Sequence, residues 1–331
     1  MPRSAATLPG SAAALARVAF TVAIAAILVP GPARAQVSAL TDQCSAIPGA
    51  DALQHCNLVA EAVVAVQPGI GIAAAGGNPV PGTASTVGMR VRSSPRLSLN
   101  ARATGVLVET PRSLGSTDTG SRRFFAPALG LDAAMGLLEG LSLAPTVGGV
   151  LSLDALAGMA LVPLPGDFRE RANLSWAVGA RLGLLRESFT LPGVSASLMY
   201  RHLGRVSFGD PALLSSEGFF QGRMSMVSLR GAASKRVYVV DVTVGAGVDR
   251  IYSDTRFGSA WTAVPYTFTV NGLKTDRGCA FVDVAWTSLV WQMVGELGWQ
   301  GGPGTFPGLL PPGAGTPGGA PFGSFALRLT I

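Results

Sequence analysis

The chain has 331 residues, of which 48% are hydrophobic and 13% charged, with 43 glycines and 23 prolines. That charge density is about half the soluble average of roughly 25%. It excludes disorder, which needs low hydrophobicity and dense charge, and fits a water-soluble enzyme poorly. So much glycine and proline also excludes a protein of long helices.

Residues 1–35 read as an export signal. Arg3 and Arg17 bracket a basic start, Val18 to Val29 form an apolar run, and Ala33-Arg34-Ala35 supplies a small-residue cleavage pattern before Gln36. The run is shorter than the ~20 apolar residues a spanning helix requires. Cleavage after Ala35 removes three arginines, and the net charge falls from +6 to +3. With so small an excess and no basic run longer than two residues, nucleic acid is not an expected partner.

Residues 36–67 are assigned to the periplasm as a separate segment. Leu53, Cys56, Val59, Val63 and Val66 recur at helical spacing, and Gln67-Pro68-Gly69 closes the pattern. The spacing predicts a short amphipathic helix, lying below the remainder or plugging it. Cys44 and Cys56, twelve apart in an exported chain, are a disulfide candidate. A metal reading recruiting His55 lacks ligands, so no metal or cofactor is expected.

Beyond residue 67 the apolar content is spread by alternation. Leu174, Trp176, Val178, Ala180, Leu182 and Leu184 oppose Ser175, Ala177, Gly179, Arg181 and Gly183, and Val240 to Asp249 alternate likewise. Period two places such sets on opposite faces of a strand. Twelve strands are expected, near 68–75, 84–92, 97–108, 124–143, 149–162, 173–187, 193–207, 217–230, 236–251, 277–286, 289–299 and 323–331. Weak alternation around Gly136 to Gly140 keeps ten to fourteen open. Short links at 93–95, 188–193, 231–235 and 287–288 alternate with long loops at 109–123, 163–172, 208–216, 252–276 and 300–324. Such asymmetry marks an all-β, up-and-down antiparallel transmembrane barrel over 68–331.

With these strands and the terminal Phe325-Ala326-Leu327-Arg328-Leu329-Thr330-Ile331, apolar at alternate positions, the chain resembles bacterial outer-membrane β-barrel proteins. Ile331 stands where that class commonly ends in phenylalanine. The resemblance implies a Gram-negative-type outer membrane, with membrane lipid and the barrel assembly machinery, which reads the terminal strand, as partners.

Expected lumen residues are Arg90, Arg102, Arg181, Arg201, Arg205, Arg223 and Arg328, with Asp154, Asp241, Asp249, Asp283 and Glu296. Internal ion pairs would fill a narrow barrel. An arginine-rich aqueous wall would favour anionic solutes. A passive channel for small, anionic or hydrophobic solutes leads, and a non-conducting structural or surface-binding barrel is the alternative. A lipid-modifying enzyme comes third and no catalytic residue is assigned, because parity puts His202 and Ser207 on opposite strand faces unless a bulge intervenes. Phe257, Trp261, Tyr266 and Phe268 in one loop, and Phe306, Leu309 and Leu310 in another, are expected to cap the mouth.

Overall fold

A computed structural model describes residues 40, 42–48, 50–88, 95–111, 121–142, 149–164, 168–189, 191–208, 218–259, 265–288, 290–302 and 319–331. The export signal, Arg90, Trp261, Phe306, Leu309 and Leu310 lie outside the described residues. Ten antiparallel strands close into a barrel: β1 (Leu97–Pro111), β2 (Ser121–Leu138), β3 (Ser152–Pro163), β4 (Ala172–Leu185), β5 (Gly193–Phe208), β6 (Phe219–Val237), β7 (Val240–Ser259), β8 (Tyr266–Ser288), β9 (Trp291–Gln300) and β10 (Ala320–Thr330). Each strand pairs with its sequence neighbours, and β1 pairs with β10 from Ser98↔Thr330 to Val106↔Phe322, which leaves no free edge.

Connections at one end are short, as at Tyr238–Val239 between β6 and β7 and at 289–290 between β8 and β9. β1 begins and β10 finishes at this turn end. The opposite, loop end carries the connections 112–120, 209–218 and 301–319.

Along the strands the residues are alternately buried and exposed, as in β9, where Gln292, Val294 and Glu296 are buried and Met293, Gly295 and Leu297 exposed. Leu129, Leu131, Leu174, Val178, Leu198, Leu229, Val282, Val284 and Leu297 form an exposed apolar band. Trp176, Tyr200 and Trp299 rim it towards the loop end, and Trp286 and Trp291 towards the turn end. Interfacial aromatics at both borders are what a bilayer selects, because their rings are apolar and their edges polar.

The first expected strand is helix, and the described part of the second is not strand. Residues 68–75 belong to a 26-residue helix, α1 (Ala50–Ala75), which lies inside the barrel, and 84–88 form an irregular strand-free segment beneath it. The expected helix end at Gln67-Pro68-Gly69 fails for a specific reason. Pro68 has no N–H for the Val64 carbonyl, and that carbonyl instead accepts from Arg277 Nη2 of β8 at 2.9 Å. A buried carbonyl left without a partner costs about 1–3 kcal/mol, so the barrel wall supplies what the helix lacks. Gly69 lets α1 approach β1, since a Cβ there would strike Val108. The helix stops at Gly76, whose φ of 64° is the left-handed conformation of a helix C-cap and whose N–H bonds Ile72 O at 2.8 Å.

Three further boundaries move. The expected short link 231–235 is strand, and the turn falls at Tyr238, with φ 58°. The expected loop 252–276 is mostly the paired upper halves of β7 and β8. The loop expected at 109–123 is partly strand, since β1 runs to Pro111 and β2 starts at Ser121.

Candidate functional site

The upper lumen is apolar, because α1 fills it. Val59, Val63, Val66, Ile70 and Ile72 of the helix pack with Val106, Val108, Val162, Phe220, Met224, Met226, Ile251 and Phe257 of the wall. Each such buried side chain contributes roughly 1.5–3 kcal/mol. Around the helix start sits an aromatic collar at the loop end. Phe124, Phe168, Phe208 and Phe220 contact in sequence at ring separations of 6.0, 5.2 and 5.5 Å. Phe257, Phe268 and Tyr266 continue the collar, with Tyr266 Oη 2.7 Å from His55 Nδ1. Phe257, Tyr266 and Phe268, expected in a loop, thus line the mouth from strands β7 and β8. Cys44 and Cys56 are joined by a disulfide at this end, and Leu40 and Cys44 are fully buried.

Below Gly76 the chemistry changes. Residues 76–88 are neither helix nor strand, yet most are buried, so their backbone groups need partners from the wall. Carboxylates take the N–H groups. Glu296 accepts from Gly77 N–H at 3.0 Å and Asn78 N–H at 2.7 Å, and Asp283 from Gly82 N–H at 3.0 Å and Asn78 Nδ2 at 2.6 Å. Asp154 accepts from Val87 N–H at 2.9 Å.

Arginines take the carbonyls. Arg230 Nε donates to Gly77 O at 3.1 Å and Arg102 Nη1 to Asn78 O at 3.2 Å. Arg328 Nη1 reaches Pro81 O and Arg181 Nη1 reaches Thr83 O, both at 3.4 Å. Three of these arginines are neutralised sideways, Arg181 by Asp154 at 2.7 Å, Arg230 by Asp249 at 2.6 Å and Arg102 by Asp132 at 3.0 Å. Asp132 Oδ2 meets Arg102 without hydrogen-bond geometry, so that pair is a charge contact alone. The lumen charges therefore bind the plug backbone as well as one another.

Of the residues expected to line the lumen, Arg102, Arg181, Arg201, Arg328, Asp154, Asp241, Asp249, Asp283 and Glu296 are buried inside the barrel. Arg205 and Arg223 are not: both are exposed on the outer face towards the loop end. For Arg205 the cause is a bulge between His202 and Gly204, where Gly204 has φ 71°. For Arg223 the strand phase is inverted, because Phe220, Met224 and Met226 point inward at the helix, leaving the odd positions outside. The same phase brings Arg230 into the lumen, and Arg277 enters from β8; neither was on the expected lining. The continuing alternation Met224, Met226, Ser228, Arg230 is the signal that points to the former.

That bulge also resets the parity of His202 and Ser207, which now share the outer face. Five residues of strand still separate them by roughly 15 Å at about 3.3 Å per residue, too far for a base and its nucleophile. His202 stacks on Trp176 at 5.8 Å, and Ser207 Oγ donates to Glu170 at 2.8 Å. Cys279 is buried in the wall. Among the described residues no cluster of histidine, cysteine, aspartate and glutamate has metal-binding geometry.

A closed antiparallel barrel with an apolar outer band, aromatic rims and a charged interior is the fold class of bacterial outer-membrane proteins. No protein-family model matches the chain, and no curated protein matches it. Among solved structures it is similar to the copper transporter OprC, at 14% identity and TM-score 0.27, with 62% of this chain matched to 36% of that one. The chain thus spans about a third of that transporter's length. It is also similar to the translocator domain of autotransporter NalP from Neisseria meningitidis, at 10% identity and TM-score 0.36, covering 71% and 88% of the two chains. A third similarity is to the transport unit of autotransporter AIDA-I from Escherichia coli, at 8% identity and TM-score 0.35, covering 81% and 98%.

Proposed function

We propose that this protein is a self-plugged barrel of the outer membrane, closed at rest by its own residues 50–88. The observation that carries this reading is continuous occupation of the lumen. α1 fills the upper half, the 76–88 segment fills the lower half, and wall side chains bond both backbones. A non-conducting structural or surface-binding role suits this geometry better than an open passive channel. The arginine wall supports a second reading, in which small anions pass once 76–88 is displaced. No catalytic role is proposed. Export with cleavage after Ala35 and recognition of β10 by the assembly machinery belong to the same reading.

Short turns face the periplasm in this class. The His55–Tyr266 contact then puts the start of α1, with its disulfide-closed loop, at the cell-surface mouth. The helix adds one crossing to the ten strands. The start of α1 and its disulfide are therefore reached from outside the cell, not from the periplasm.

Two measurements test this. Purified protein whose insertion is verified by heat-modifiable migration is expected to show no steady conductance in planar bilayers; an ohmic pore at rest would refute the plug. A protease site placed ahead of Leu40 is expected to be cut in intact cells. Cutting confined to permeabilised cells would reverse the assigned orientation.

A further inference from the structure

Arg205 of β5 and Arg223 of β6 are partners across the strand pair, and both are exposed on the outer face. Direct cross-strand neighbours stand about 5 Å apart at Cβ, and like charges so placed repel. Among the described residues neither guanidinium has an ion pair or a hydrogen bond. Arg256 of β7 adds a third exposed cation. It pairs with Gln221, the next outward residue of β6, so it stands diagonal to Arg223 and within reach of a long side chain. Its guanidinium rests over Phe219, 5.9 Å from the ring centre.

The carboxylates nearby are committed elsewhere. Asp254, opposite Arg223 on β7, sits at the β7–β8 bulge and accepts from Gly272 N–H at 2.8 Å. Glu170 accepts from Ser207 N–H at 2.7 Å and Ser207 Oγ at 2.8 Å, with Arg169 exposed beside it. Asp276 pairs with Arg250 at 2.7 Å. The patch is therefore basic, and Lys274 of β8 extends it. The outer faces of β9 and β10 carry no charged residue, so this charge belongs to one side of the barrel.

The patch also has a defined height. The Arg205–Arg223 rung is the next outward one above His202–Ser225, and His202 stacks on Trp176 of the loop-end rim. One rung beyond an aromatic rim lies the headgroup layer of a bilayer. Directly below, Leu174 and Leu229 are exposed in the apolar band, a surface on which acyl chains can lie. A guanidinium's planar fork matches two oxygens of a phosphate.

We propose that the outer face of β5–β7 binds an anionic lipid by its headgroup phosphate, with Arg205, Arg223 and Arg256 as the contacting groups. The assigned orientation makes this the cell-surface leaflet. The site itself depends neither on that orientation nor on the plug.

The test is native mass spectrometry of the full chain released from detergent micelles doped with dimyristoyl phosphatidic acid or with phosphatidylcholine of the same chains, whose choline neutralises the headgroup. The native protein is expected to retain phosphatidic acid about tenfold more often, the order of preference that two or three surface arginines supply. Arg205→Gln combined with Arg223→Gln erases the preference, whereas Arg96→Gln, at an exposed arginine of the turn end, keeps it. Arg223→Glu makes the rung a complementary pair; it too is expected to lose the preference, while its unfolding midpoint in lipid-free detergent stays at or above the native value. That midpoint separates loss of the site from loss of the fold. Equal retention of the two lipids by the native protein overturns the proposal, as does a preference unchanged in the double variant and in Arg223→Glu. Displacement of the lipid by equimolar inorganic phosphate overturns it as well, by making a free anion the ligand.

Discussion

Asp249→Ala is expected to destabilise the folded barrel by about 3–5 kcal/mol, the usual cost of removing one partner from a buried ion pair. Asp249 is fully buried in β7 and accepts from Arg230 Nη2 at 2.6 and 2.8 Å and from Ser228 Oγ at 2.6 Å. Alanine leaves the Arg230 guanidinium at the centre of the barrel with Gly77 O and its neighbour's carbonyl as acceptors. The attraction lost is smaller than the solvation that Arg230 gave up on folding and no longer recovers. A charge-free pair should therefore fare better than the single variant. Asp249→Val combined with Arg230→Met is expected to regain most of the loss, since two well-packed apolar groups owe no desolvation penalty. Urea titration in detergent, followed by tryptophan fluorescence, measures both. An Asp249→Ala midpoint within about 0.5 kcal/mol of native, the scatter of an ordinary surface change, would show that the pair carries no such role.

Joint replacement of Asp283 by asparagine and Glu296 by glutamine is expected to open the closed barrel. These two carboxylates hold Gly77, Asn78 and Gly82 through four bonds of 2.6 to 3.0 Å. Hydrogen bonds to a charged group are each worth about 1.5–3 kcal/mol. The amide replacements keep shape but remove the charge and one acceptor oxygen apiece, so part of the plug backbone loses its partners. The 76–82 stretch should then leave the wall for part of the time. With two carboxylates gone, Arg201 and Arg328, which have no ion pair among the described residues, tip the exposed lumen positive, and the conductance should favour anions. Asp276→Asn is the control, because it pairs with the half-exposed Arg250 on the outer face and bonds nothing in the plug. Planar bilayer recording decides: a silent double variant that is demonstrably inserted would mean that these carboxylates do not latch the plug.

Strand identity was legible wherever a strand's outer face meets the apolar band. β4 and β5 lie within two residues of the expected spans, because Leu174 to Leu184 and Val194 to Tyr200 alternate against small polar partners. Legibility failed above the band. The upper halves of β7 and β8 carry Asp254, Arg256, Lys274 and Asp276, which read as loop although the two strands pair there on either side of a bulge at Asp254. Gly231 to Lys235 read as a turn because small residues suit turns and thin barrel walls alike. The lumen charges were legible as inward residues on β3, β4, β7, β8 and β9, but not where a bulge or an apolar interior reversed the phase, as at Arg205 and Arg223.

By itself the sequence determined a barrel, since alternation, turn spacing and scarce charge act locally and repeat along the chain. Only the tertiary structure decided what occupies its centre. Pro68-Gly69-Ile70-Gly71-Ile72 alternates as well as many strands do, and it is helical because Arg277, more than two hundred residues away, takes the carbonyl that Pro68 leaves free. A buried backbone group must find a partner somewhere, and in this lumen the partners come from across the barrel, beyond the reach of any local pattern.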